Sequence, residues 1–362
     1  MSRYSDILLS SIFILTSLGL VMVFSAGSNP ALDSMSGLSL FIKQFIWVII
    51  GSLFLIVCSF MNYKKISFFS YGILFFAIFI AILAYFTKPS GESTARSLYV
   101  FGKSIFQTSE IVKIALIIFT ASFISNNKRK ISDFNFMSRK YYPYFCLSVM
   151  VVLFQTDFSS AMVISMIAIA MLFVAGISKQ QIKILFIIGF SALAFKFIMI
   201  PNLTGNEGYQ DRRLSGFIKG QDSQQSNAID EIASSNFIPQ IGSSKRKGDY
   251  IAQAHTDFIY TITASELGFL GVVIIFGGFS VILIRGINIV RLTKDLFGMF
   301  LAIGITFNLT FYFMVHVGYN IGLFPTTGLP LPFVSYGGSH TLMNLIQIGL
   351  LLSIAYKIKN EK

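Results

Sequence analysis

The chain has 362 residues, 54% hydrophobic and only 12% charged, with a mean hydropathy of +0.72 and a formal charge of +12. Soluble domains carry about a quarter charged residues, so this balance excludes one. The surplus Lys and Arg lie in short loops without an aromatic-interleaved basic patch, and the chain has no P-loop, dinucleotide glycine fingerprint or His/Cys metal spacing; nucleic acid, nucleotide and a protein-held metal are therefore not expected.

The apolar residues come in runs near the roughly 20 residues that cross a bilayer as a helix. The first, 7–25, follows Arg3 and precedes Ser25-Ala26-Gly27, as a secretory signal would. It is longer than the roughly 7–15 apolar residues of a signal, and more spans follow, so it reads as an uncleaved first span. Spans at 40–60, 66–86 and 109–125 come next. Tyr141 to Gly176 could be one long helix or a hairpin of two, 141–155 and 158–176, broken at Gln155-Thr156-Asp157. Spans at 182–200, 258–284, 296–317 and 339–356 complete an expected set of about ten.

Charge decides the ambiguous stretch. With two spans there, the loops carrying Lys64-Lys65, Lys128-Arg129-Lys130, Arg139-Lys140, Lys179, Arg285 and Arg291-Lys294, and the tail Lys357, Lys359 and Lys362, share one side. The positive-inside rule makes that side cytoplasmic, with both termini in it. The expectation is an all-α polytopic membrane protein, a single integral-membrane domain over 1–362. Its connections 87–108, the turn at Asp157, 201–257 and 318–338 lie on the other side. The 201–257 loop, between spans seven and eight, is long and polar, with Leu214, Phe217, Ile229 and Phe237 spaced to fold back as short amphipathic helices. Cys58 and Cys146 read as apolar packing residues rather than a disulfide.

Several polar groups could carry chemistry. Asp257, in Ala254-His255-Thr256-Asp257-Phe258, stands where water meets membrane; it is a functional carboxylate, an N-cap, or both. Glu110 and Lys113, three apart at the start of the fourth span, share a helix face and can pair, with Ser109 as the cap. Arg96, Arg212 and Arg213 are outer-side cations suited to phosphate oxygens or to lipid headgroups and solvent. His316, inside a span, reads as a packed, hydrogen-bonded residue. The passage Gly322-Leu-Phe-Pro325-Thr-Thr-Gly328-Leu-Pro330-Leu-Pro332-Phe-Val-Ser335-Tyr336-Gly337-Gly338-Ser339 sets prolines and glycines between two apolar segments, which neither lipid nor a soluble core favours without a reason.

That passage resembles the signature of the SEDS family, which contains FtsW, RodA and a sporulation relative. The resemblance continues, in order, through Gly19-Leu-Val-Met-Val-Phe-Ser25-Ala, Gln107-x-Ser-Glu110-x-x-Lys113, Gln155-x-Asp157-Phe, Tyr209-Gln-x-Arg212-Arg213-Leu, Ala254-His-Thr-Asp257-Phe-Ile and Glu266-Leu-Gly268-Phe-Leu-Gly271. It implies the SEDS fold and a peptidoglycan glycosyltransferase in the bacterial cytoplasmic (inner) membrane. That activity polymerises lipid II, an undecaprenyl-pyrophosphate disaccharide-pentapeptide, beside a class B penicillin-binding protein and other divisome or elongasome membrane proteins. It maps the catalytic aspartate onto Asp257 and substrate-binding positions onto Arg96, Glu110, Lys113, Arg212, Arg213, Ser335, Tyr336, Gly337 and Gly338. It also implies help from a divalent cation, Mg²⁺ or Mn²⁺, carried on substrate phosphate, and its motif variants favour the FtsW-like over the RodA-like branch. A lipid-precursor transporter, drawing on Glu110, Lys113 and Lys196, and a scaffold activating the crosslinking enzyme are the alternatives. The chain departs from the family pattern at Ser97 (Trp expected), Thr108 (Pro expected), Asn236–Ser244 (richer in glycine in the family) and Ala252-Gln253 (Pro-Glu expected).

Overall fold

The computed structural model describes residues 3–28, 37–89, 96–100, 103–194, 216–218, 223–235, 239–241, 251 and 253–360. The helices, in order, are α1 Arg3–Gly27, α2 Gly37–Phe60, α3 Tyr63–Phe68, α4 Ser70–Thr87, α5 Thr108–Asn127, α6 Phe134–Lys140, α7 Tyr142–Phe154, α8 Phe158–Ala175, α9 Lys179–Ala194, α10 Ser223–Ala233, α11 Ile259–Leu292, α12 Leu296–Asn320 and α13 Gly338–Asn360. Among the described residues, eight are long and apolar enough to cross a membrane, and α7 is a shorter apolar helix. The 182–200 span appears as α9; residues 195–200 of that expected span, with Lys196, lie outside the described residues.

The predicted hairpin at Tyr141–Gly176 is present. α7 ends at Phe154, Thr156 turns the chain at φ +60, and Asp157 opens α8 by accepting the Ser160 amide at 3.3 Å. Two further helix ends carry local signals. Asp295 accepts the Gly298 amide at 2.9 Å to start α12, and Gly176, at φ +90, closes α8. Pro143 sits in the first turn of α7.

Three features differ from the expectation. The fold is not wholly helical: Ser97–Val100 (β1) pairs antiparallel with Lys103–Gln107 (β2). Thr108, where the family pattern has proline, donates its amide to Arg96 O at 3.1 Å and its hydroxyl to Gln155 Oε1 at 3.0 Å, a closure proline could not make. Second, α11 runs on to Leu292 and is broken at Gly268, whose φ +56, ψ −141 is open essentially to glycine alone. Third, the helix starts miss both candidate caps, Asp257 and Ser109. The N-cap position of α11 falls on Phe258, after Asp257, and that of α5 on Gln107, before Ser109.

α5 is the central helix, buried almost throughout, with α4, α8 and α12 packed around it. α2 packs along α13, and α1 along α11. The outward faces of α2 and α4 show Phe45, Phe54, Phe75, Phe76 and Phe79, a surface suited to lipid chains.

Candidate functional site at one end of the bundle

Alternation of the spans brings 88–89, 96–100, 103–107, 155–157, 253–258 and 321–337 to one end, opposite the end that holds Lys64, Lys65, Lys128 and Lys294. The proline-rich passage is a re-entrant loop. Its residues 331–335 are buried, and a Cβ on Gly19 of α1 would lie 2.6 Å from Phe333 O and 2.7 Å from the Val334 Cα. Gly19 is two turns inside α1, so the loop dips about 12 Å below that helix end at 1.5 Å per residue. Non-helical backbone at such depth is tolerated only inside protein, with its polar groups satisfied.

The Asp257 turn and polar side chains of α2 and α12 meet several of those groups. Three successive carbonyls of the turn are each held. His255 O accepts from the Tyr336 amide at 2.9 Å, Thr256 O from Ser335 Oγ–H at 2.8 Å, and Asp257 O from the Tyr319 hydroxyl at 2.7 Å and Asn320 Nδ2 at 3.3 Å. The turn folds on itself too, since the Thr256 and Asp257 amides both donate to Gln253 O at 3.0 Å. From α2, Gln44 accepts the Gly337 amide at 3.1 Å and donates to Thr341 Oγ1 at 2.9 Å and Ser335 O at 3.3 Å. Gly338 lies against the Trp47 indole, where a Cβ would come 2.2 Å from Nε1. The His255 ring meets the Tyr336 ring edge-on at 5.5 Å, and burial pushes the imidazole pKa down and the phenol pKa up.

In the first turn of α13, His340 joins a second, deeper cluster. The Glu110 carboxylate meets Lys113 Nζ at 2.8 Å, His340 Nδ1 at 3.3 Å and the Tyr312 hydroxyl at 3.4 Å, and Lys113 Nζ sits 4.0 Å from the centre of the Tyr312 ring. Glu110, Lys113, Tyr312 and His340 are all buried. Beside it, Asp157 accepts from Gln107 Nε2 at 3.2 Å and Ser109 Oγ at 3.1 Å, and Arg96 donates to Thr156 O at 3.0 Å.

α10 roofs this end of the bundle. Gln225 donates to Tyr319 O at 2.7 Å and Phe324 O at 2.8 Å, and Glu231 accepts from Ser265 Oγ at 2.6 Å. At the Gly268 break the freed Glu266 carbonyl accepts the Gln240 amide at 2.6 Å, while the Glu266 side chain accepts from Ser25 of α1 at 2.5 Å.

The structure thus gathers Asp257, Ser335, Tyr336, Gly337 and Gly338 in one interlocked unit, with Arg96 at the hairpin side of the same end. Glu110 and Lys113 form the expected pair, sealed within the bundle. Arg212 and Arg213 lie outside the described residues, as do Leu214 and Phe237 of the outer loop. Sequence reasoning missed Gln44, Tyr312, Tyr319 and Asn320 as site residues. A lone amide in an apolar span was the available signal for Gln44. Among the described residues, no three His, Cys, Asp or Glu side chains group as metal ligands.

These features define a multi-span membrane protein with a polar site built from re-entrant and connecting loops at one end. The chain belongs to the FtsW/RodA/SpoVE family, whose model, described as "Cell cycle protein", matches residues 6–360. It is 31% identical to the probable peptidoglycan glycosyltransferase FtsW of Geobacter metallireducens, over 99% of this chain and 96% of that one. It is 29% identical to stage V sporulation protein E of Bacillus subtilis, over 97% and 96%. Its fold matches a chain from a peptidoglycan synthase complex that coordinates polymerization and crosslinking (TM-score 0.76, 23% identity, 97% of both chains). It also matches Thermus thermophilus RodA (TM-score 0.69, 22% identity, 96% and 95%).

Proposed function

We propose that this chain is a peptidoglycan glycosyltransferase that polymerises lipid II by inverting transfer, with Asp257 as general base. The observation that carries the reading is the fixing of the Asp257 turn at three successive carbonyls by α12 and the re-entrant loop. A half-buried carboxylate on a backbone held this firmly is suited to proton abstraction from a positioned hydroxyl. The FtsW-named relatives support the activity and favour a role in division over elongation.

In the reaction, the acceptor hydroxyl gives its proton to the Asp257 carboxylate while its oxygen bonds to the donor's anomeric carbon. The bond from that carbon to the undecaprenyl pyrophosphate breaks, and the pyrophosphate leaves with the electron pair. One displacement inverts the anomeric centre and needs no covalent enzyme intermediate. Arg96, Arg212 and Arg213 supply cations for the leaving group. Glu110 and Lys113 act from beneath, holding α5, α12 and α13 in register. Ser335, Tyr336, Gly337 and Gly338 shape the floor.

A divalent ion, Mg²⁺ or Mn²⁺, would be carried by the substrate's pyrophosphate, where it would help neutralise the charge of the leaving group. We place the chain in the bacterial cytoplasmic membrane with both termini inside, because the basic loops share the end opposite the site. Its partners are lipid II, a class B penicillin-binding protein and the other membrane proteins of the division machinery.

The test is glycan-strand synthesis from lipid II by purified protein with its cognate class B partner, for wild type and Asp257→Asn. Strands from wild type and none from Asp257→Asn support the reading. A fully active Asp257→Asn removes Asp257 as base. Absence of strands from an intact wild-type complex turns the reading to a scaffold, or to a transporter if lipid II then crosses vesicle membranes with the protein.

A further inference from the structure

The Tyr319 hydroxyl lies within hydrogen-bonding distance of three groups: Asp257 O at 2.7 Å, His316 Nδ1 at 2.8 Å and Leu329 O at 2.9 Å. His316 Nδ1 is itself 2.8 Å from Leu329 O. Tyr319 and His316 stand one turn apart on α12, and both are wholly buried.

A count of protons narrows the possibilities. A phenol has one proton to give, and a carbonyl oxygen only accepts. Were Nδ1 unprotonated, it and Leu329 O would face each other as two acceptors at 2.8 Å. Three acceptors would then compete for the one Tyr319 proton. With a proton on Nδ1, His316 donates to Leu329 O, and the Tyr319 proton goes to Asp257 O. The phenol oxygen, Nδ1 and both carbonyl oxygens are then each satisfied, as buried polar groups require. The remaining ring nitrogen, Nε2, is buried with no hydrogen-bond partner among the described residues, so no acceptor there draws the proton away from Nδ1.

We infer that His316 is held with its proton on Nδ1, and that this makes Tyr319 a positioning residue for Asp257. The inference rests on the reading of Asp257 as the base. Neither side chain touches the reacting atoms. His316 fixes where the Tyr319 proton points, Tyr319 fixes the Asp257 main chain, and the carboxylate is aimed accordingly. The same junction ties Leu329, at the start of the buried part of the re-entrant loop, to the acidic turn, so both walls of the site share one anchor.

Two measurements test this. In ¹⁵N spectra of protein labelled at its three histidines, His316, assigned by its loss in His316→Asn, should show a protonated Nδ1. An unprotonated Nδ1 overturns the assignment. In glycan-strand kinetics with the class B partner, Tyr319→Phe should lower kcat about ten- to a hundred-fold with KM little changed, the cost expected of a misaimed catalytic group. His316→Leu should do the same. His316→Asn, whose amide can donate from near the Nδ1 position, should recover much of the loss. A lower melting temperature with kcat retained would mean a merely structural role and overturn the inference. The underlying reading fails separately: if Asp257→Asn turns over normally, Asp257 is not the base. If Asp257→Asn is dead and Tyr319→Phe has wild-type kcat, only the positioning role is lost.

Discussion

Ser335 Oγ lies 2.8 Å from the carbonyl oxygen of Thr256, 79 residues earlier in the chain. The same hydroxyl accepts the Leu331 amide at 2.8 Å, so it both closes its own loop and pins the acidic turn. Ser335→Ala leaves a buried N–H and a neighbouring carbonyl without partners, which costs about 1–3 kcal/mol for each group left unsatisfied. We expect a lower melting temperature in detergent together with slower strand synthesis, and substantial rescue by Ser335→Thr. An unchanged melting temperature in Ser335→Ala would show that the bond is dispensable.

The Glu110 cluster predicts an asymmetry between its two charged members. Lys113→Met leaves the carboxylate with His340 and Tyr312. Glu110→Leu leaves a buried ammonium over the Tyr312 ring with no directly bonded carboxylate. Removing one partner of a buried pair costs about 3–5 kcal/mol, while replacing both by apolar groups is often nearly neutral. Thermal unfolding should therefore rank Glu110→Leu below Lys113→Met, with the double variant well above the sum of the two losses. Strict additivity would refute the coupling.

The His255 imidazole has a lowered pKa because burial disfavours its charged form. The sign follows directly. The unfolded chain takes up a proton near the ordinary histidine value of about 6.5, while the folded turn resists until lower pH. The stability His255 lends the turn is thus complete above about pH 6.5 and lost as the pH falls through the folded value. Protease sensitivity of the 251–258 segment should rise on mild acidification in wild type and much less in His255→Gln. Equal responses would exclude His255 as the source.

The helices were legible because a span must be long and apolar, and the hairpin at Asp157 because charge must alternate sides. The Asp257 and Ser335 motifs were visible as strings, but their contact was not. Apolar spans pack through shape, which a hydropathy pattern does not encode, so nothing in residues 254–257 announced Tyr319, Asn320 or Gln44 as partners. The β1–β2 hairpin was missed because it is short and sits in a polar connection where no core dictates alternation. Asp257 and Ser109 were read as possible caps from spacing alone, and the observed N-caps fall one residue after the first and two before the second. Thr108 shows the opposite case: a departure that seemed a loss in the sequence supplies two hydrogen bonds in the fold.

The break at Gly268 separates α11 into a buried piece, which begins two residues after Asp257, and a long second piece, 269–292, with Phe269, Leu270 and Val273 on an exposed apolar face. Spans answer a thinner or thicker bilayer by tilting. A tilt of the second piece is absorbed at the glycine, while the acidic turn keeps its height from α12 and the re-entrant loop. The site is in effect suspended from the protein rather than floating on the membrane. Strand synthesis in vesicles of shorter and longer phospholipids should vary little for wild type. In Gly268→Ala, where the break is strained by about 1–3 kcal/mol, activity should follow acyl-chain length, and equal sensitivity in both proteins would rule the suspension out.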